Sequence, residues 1–146
     1  MRKSRAVLIE DETMFRQLIL MTLGRLKDVQ VIGEFGLGQP GLDFCLQEKP
    51  DLLVVDLMLP DLNGMEVARQ VRRALPETKI LVITAHPSER LPADLIVLAG
   101  EQPRPPVLVA ASMGGLFGLL AESRWPGLFS AMVLVDITPR WDTAGV

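Results

Sequence analysis

The chain has 146 residues, 49% of them apolar, a mean hydropathy of +0.29 and a net charge of −3. That length suits one domain, 1–146, with a sizeable core. The scattered basic residues leave no nucleic-acid footprint. The longest charge-free run, 107–121, is broken by Ser112, Gly114, Gly115 and Gly118 and falls short of the roughly 20 apolar residues a membrane-crossing helix needs.

The basic start leads into only Ala6–Ile9 before acids appear, too short a stretch for a secretory signal. The single cysteine, Cys45, excludes an internal disulfide and fits a reducing compartment. It sits in Leu42-Asp-Phe-Cys-Leu46 and is expected to pack as a small apolar residue. A soluble, cytoplasmic protein is expected.

Short apolar runs alternate with amphipathic stretches, the pattern of βαβ units and a parallel sheet. Strands are predicted at 6–9, 29–34, 52–55, 80–83, 107–109 and 131–135, and helices near 13–26, 39–48, 63–75, 88–101 and 114–124. In the first helix Met14, Leu18, Met21 and, less regularly, Leu26 recur at helical spacing. In the last, Met113, Leu116, Leu119 and Leu120 form an apolar stripe expected to face the core. The glycines of Gly36-Leu-Gly38 and Gly41 read as flexible turn residues. Right-handed crossovers would put the strands in one twisted sheet with helices on both faces. Ligands on such sheets bind at the carboxyl ends of the strands.

Three carboxylates fall at such ends. Glu10 and Asp11 follow the first strand and Asp56 the third, with Thr84 after the fourth. If strands one and three are neighbours, the acids converge, and mutual repulsion either raises a pKa or recruits a divalent cation. Carboxylates, a backbone carbonyl and waters suit Mg²⁺. An aspartate neutralised in this way can attack a phosphoryl donor.

Val7-Leu-Ile-Glu-Asp-Glu12, Leu53-Val-Val-Asp56-Leu-Met-Leu-Pro60-Asp-Leu-Asn-Gly64 and Ile80-Leu-Val-Ile-Thr84-Ala85 resemble a bacterial response-regulator receiver domain. The resemblance covers residues 4 to about 89. It implies a flavodoxin-like three-layer α/β/α sandwich with strand order 2-1-3-4-5, and a sixth strand is expected beside the fifth. It further implies that Asp56 accepts phosphate from a histidine kinase or a small phosphodonor. Glu10 and Asp11 would be the acidic pair, with Asp11 a direct Mg²⁺ ligand. The backbone carbonyl of Met58 would complete the metal site, Thr84 would contact the phosphoryl group, and Pro60 and Gly64 would shape the loop. A receiver also carries a lysine at the end of its fifth strand. Here that strand reads Val107-Leu-Val-Ala-Ala111, without lysine or an aromatic switch residue. Losing that cation predicts weak phosphorylation and lost output, unless Lys79 or Arg90 replaces it.

Ala110-Ala-Ser112-Met-Gly114-Gly115 has the strand–serine–helix order of a nucleophile elbow, with Ala110 where the first glycine belongs. Residues 91–146 resemble an interior piece of an α/β-hydrolase. A serine hydrolase needs a histidine base, but the only histidine, His86, precedes Ser112. Ser112 is therefore expected to be a vestigial, inactive turn residue, Asp136 a strand-end acid without a catalytic role, and the chain not an enzyme. Taken together, the two resemblances suggest an engineered chimera: a receiver-like segment, 1–88, joined near 86–91 to a hydrolase-like segment, 89–146. A working phosphorelay regulator is the alternative, and a serine esterase a distant one. The apolar strand at 131–135, if it forms a sheet edge, allows a homodimer as well as a monomer.

Overall fold

The computed structural model describes residues 2–83, 91–111 and 113–135. The chain divides into two compact units, Met1–Ala85 and His86–Val146.

In the first unit, strands β1 (Ser4–Ile9), β2 (Val29–Phe35), β3 (Leu52–Asp56) and β4 (Lys79–Ile83) form one parallel sheet in the order β2-β1-β3-β4. Helices α1 (Thr13–Gly24), α2 (Gly38–Glu48) and α3 (Gly64–Ala74) are the crossovers. The two central strands are buried on both faces, which explains why they read as unbroken apolar runs. Alternate side chains go to opposite faces. Val7, Ile9, Leu53 and Val55 pack with Leu42 and Cys45 of α2 and with Val67, Ala68 and Val71 of α3. Leu8 and Val54 face the other way and meet Leu23, Ile19 and Leu20 of α1. Each such aliphatic side chain contributes roughly 1.5–3 kcal/mol by leaving water.

At the end remote from the acids, Asp51 ties β1 to β3. Its carboxylate accepts the Arg5 backbone N–H (2.8 Å), and its own N–H donates to the Arg5 carbonyl (2.9 Å). That backbone donor, together with the Arg2 guanidinium, holds the Asp51 carboxyl below its ordinary range.

The structure sets the face of α1 and corrects the reading of two glycines. On α1, Met14, Leu18 and Met21 are exposed, Met14 by 80%, as is Leu26 just beyond it. The helix carries apolar residues on both sides, and the stripe that packs inward is Ile19, Leu20 and Leu23, of which Leu23 is buried. Gly38 and Gly41 are not turn glycines, because both are buried within α2. A β-carbon on Gly41 would overlap the Ile9 side chain, so the missing side chain lets α2 settle onto β1.

In the second unit, β5 (Val107–Ala111) and β6 (Ala131–Val135) pair in parallel from Val107 opposite Ala131 to Ala111 opposite Val135. They are joined through α5 (Met113–Arg124) and preceded by α4 (Leu91–Gly100). The predicted strand order is seen in these two stretches, 2-1-3-4 and 5-6. Ala99, Ala121 and Phe129 form the small core with Ile96, Leu108, Leu128 and Met132. The expected stripe on α5 is displaced: Leu119 and Leu120 are partly exposed, while Gly115, Gly118 and Ala121 are buried. Small residues bring the helix close to β5, and the leucines are left at its margin. Among the described residues, no helix is long and apolar enough to cross a membrane.

Cys45 is fully buried in the α2 layer, and burial pushes its thiol pKa up to about 12. The thiolate is the reactive form. The native protein should therefore fail to react with a thiol reagent at pH 8, whereas one equivalent should react after unfolding in guanidinium. Rapid native labelling would contradict this packing.

Candidate acidic site

The acids lie where the central strands end. β1 and β3 run side by side, with Ile9 opposite Val55, so the residues that follow emerge at the same edge. Asp56 is the last residue of β3, and Glu10 and Asp11 are the first two after β1. Ligand oxygens of these three carboxylates lie within 4.8 Å of one another. Glu10 and Asp56 are buried, 3% and 5% exposed, while Asp11 is exposed. Burial raises the Glu10 pKa above its ordinary value. The Glu12 N–H opposes that rise, and the charges of Asp56, Asp11 and Glu12 add to it.

Local bonds fix the turn that carries the pair. The Glu10 N–H donates to the Phe35 carbonyl at 2.9 Å. The Glu12 N–H donates to Glu10 Oε1 at 3.1 Å. The Glu12 side chain caps α1 by accepting from the N–H groups of Met14 and Phe15, at 3.2 and 2.6 Å. Arg16, one turn into the helix, donates from Nη1 to the carbonyls of Glu10 (2.6 Å) and Asp11 (3.2 Å).

The loop after Asp56 is pinned at several points. The Leu57 N–H donates to the Ile83 carbonyl (3.1 Å), and the Gly64 N–H donates to the Leu57 carbonyl (3.0 Å). Asn63 caps α3 by accepting the Met65 N–H at 2.8 Å. Asp61 reaches across to α2 and accepts the N–H groups of Gly38 (2.7 Å) and Gln39 (2.9 Å). Those two donors hold its carboxyl below the ordinary range. They also supply the cap that Leu37, at the start of α2, does not make with its side chain. Met58 stands exposed in this loop.

Of the residues singled out from sequence, Glu10, Asp11 and Asp56 are brought together. Thr84, His86, Arg90, Ser112 and Asp136 lie outside the described residues. Lys79 cannot stand in for the missing lysine. It pairs opposite Leu52 whereas Asp56 pairs opposite Ile83, so it lies at the far end of β4, roughly 13 Å away at strand rise. Sequence reasoning passed over Arg16, Glu12, Asn63 and Asp61. Asn63 could have been found as a cap residue just before a helix. Asp61 leaves no local signal, because its partners are 22 and 23 residues away.

The chain belongs to the response regulator receiver domain family, whose model matches residues 6–101. It is 28% identical over 90 residues to the response regulator UvrY of Escherichia coli, a match covering 62% of this chain and 41% of UvrY. It is 31% identical over 81 residues to VraR of Staphylococcus aureus, covering 56% of this chain and 39% of VraR. The matched stretch therefore spans about two fifths of these relatives. The fold resembles the signal receiver domain of NarL from Mycobacterium tuberculosis, with a TM-score of 0.59 and 23% identity over 92% of this chain and 85% of that one. It also resembles the isolated RcsB receiver domain of Salmonella enterica serovar Typhimurium, with a TM-score of 0.60 and 20% identity over 68% and 72% of the two chains. The fold is a flavodoxin-like α/β fold with a parallel sheet, and receiver domains as a class are not conventional enzymes.

Two outcomes follow from the loop. A β-carbon on Gly64 would overlap the Asp56 carbonyl oxygen. Gly64→Ala should therefore lower stability by about 1–3 kcal/mol in urea denaturation, while Gly24→Ala, with open space around it, should cause no loss. Asp61→Ala should lower Tm at neutral pH. Because the folded-state pKa of Asp61 is depressed, its contribution is present above the ordinary carboxylate range and is lost as pH falls through the folded value. Melting curves of mutant and wild type should converge on acidification; a gap that persists in acid would refute the capping role.

Proposed function

We propose that the chain is a phosphorelay receiver in which Asp56 accepts a phosphoryl group from a histidine kinase or a small phosphodonor. The observation that carries this reading is the meeting of three carboxylates within 4.8 Å at the ends of β1 and β3. Such a donor set, hard and multiply anionic, fits Mg²⁺. Glu10, Asp11, Asp56 and the Met58 carbonyl would hold the ion. When bound, it would neutralise the pocket and the phosphoryl oxygens.

In this reading a carboxylate oxygen of Asp56 attacks phosphorus. The bond from phosphorus to the donor imidazole breaks, the ring leaves as neutral imidazole with the electron pair of that bond, its other nitrogen already protonated in the donor, and an acyl phosphate remains. Glu10 is buried beside Asp56, and Thr84 would donate a hydrogen bond to the transferred group. With no lysine on β5, the charge on that group lacks its usual partner, so phosphorylation is weak and signalling output is lost.

The two units are proposed to be parts of one domain, supported by a family match that runs across the 85/86 boundary. The same match reaches residue 101, past the junction expected near 86–91. An engineered splice to a hydrolase segment thus rests on 107–115 and 131–138 alone, and an ordinary receiver lineage is the better supported origin. Self-association through the β6 edge belongs to the same reading.

Incubating the full chain with acetyl phosphate and Mg²⁺ should add one phosphoryl group by intact mass. None should appear on Asp56→Asn or in the presence of EDTA. An unmodified wild-type mass after prolonged incubation would sink the proposal.

A further inference from the structure

We infer that Arg16 is the positioning residue of the acidic pocket. Its guanidinium fixes the Glu10–Asp11 turn so that both carboxylates face Asp56. The inference deepens the Mg²⁺ reading of the pocket and rests on it for its functional meaning.

The geometry is specific to the backbone. Nη1 bridges two consecutive carbonyls, those of Glu10 at 2.6 Å and Asp11 at 3.2 Å. Consecutive carbonyls ordinarily point apart along extended chain, so one donor spanning both defines the turn. The Arg16 backbone N–H donates to the Glu12 carbonyl at 2.9 Å, which anchors the side chain's own origin to the same segment. Glu12 closes the ring: its N–H holds Glu10 Oε1, and its carboxylate caps the helix that carries Arg16. The guanidinium therefore acts through the peptide groups, leaving the carboxylate oxygens to meet one another. It also puts a permanent cation beside a three-acid cluster, in a chain whose fifth strand lacks the lysine of its family.

Positioning and charge make opposite forecasts, which allows a decision. As a mere cation, Arg16 competes with a divalent ion, and its removal tightens Mg²⁺ binding. As a positioning residue, it holds the ligands in place, and its removal loosens binding, as losing an outer-shell partner does.

The test compares the full chain with Arg16→Met and Arg16→Lys. Amide exchange by NMR is measured without metal, and MgCl₂ is titrated by calorimetry. In Arg16→Met the Glu12 amide should exchange about tenfold faster, the equivalent of roughly one lost hydrogen bond, and the Mg²⁺ Kd should rise about 10–100-fold. Tm should stay near the wild-type value, and Arg16→Lys should recover much of both losses. If Arg16→Met does not fold, Arg16→Gln carries the same two measurements. Unchanged Glu12 exchange, or tighter Mg²⁺ binding, would overturn the inference. A wild-type chain that takes up no Mg²⁺ would instead refute the metal reading, and the exchange data would still decide the role of Arg16.

Discussion

Crowding of negative charge at one edge of the sheet is the constraint around which the first unit is organised. Two unit charges 4.8 Å apart repel by roughly 3–4 kcal/mol at an effective dielectric of about 20. Glu10 and Asp56 are both buried there, and burial raises the Glu10 pKa. Opposing the repulsion are the fully buried side chains directly behind them, Val7, Leu8, Ile9, Leu53, Val54 and Val55, each worth roughly 1.5–3 kcal/mol of apolar burial. The ladder between β1 and β3 thus converts hydrophobic energy into the proximity of like charges. Without so dry a pair of central strands, the acids would drift apart into solvent.

Much of this was legible in the sequence because the central strands carry an unambiguous message. Ala6–Ile9 and Leu52–Val55 are short, aliphatic and bounded by charged residues, the composition of a strand covered on both faces. Once those two strands are neighbours, the positions of Glu10, Asp11 and Asp56 follow from chain direction alone. The facing of α1 was not legible in the same way. Met14, Leu18 and Met21 obey helical spacing as well as Ile19, Leu20 and Leu23 do, and periodicity finds a stripe without saying which side the sheet is on. The glycines at 38 and 41 were misread for a related reason. A small residue looks the same in sequence whether it bends the chain or admits a neighbour, and only the Ile9 side chain beneath α2 distinguishes the two.

The second unit solves its packing differently. Instead of a broad aliphatic layer it uses Gly115, Gly118 and Ala121 to bring α5 against a two-stranded ladder. Val107, Val109 and Val133 stay exposed on those strands, and Leu108 and Met132 turn inward. The alternation is that of a half-covered sheet, whereas β1 and β3 show none. One chain therefore holds two regimes of strand burial.

The clasp made by Asp61 has a wider effect than its two hydrogen bonds imply. One carboxylate terminates both the segment leaving Asp56 and the opening turn of α2, so neither can fray alone without stranding the donors or the acceptor of the other. Local opening of either segment thus costs hydrogen bonds of the other, which couples two elements far apart along the chain.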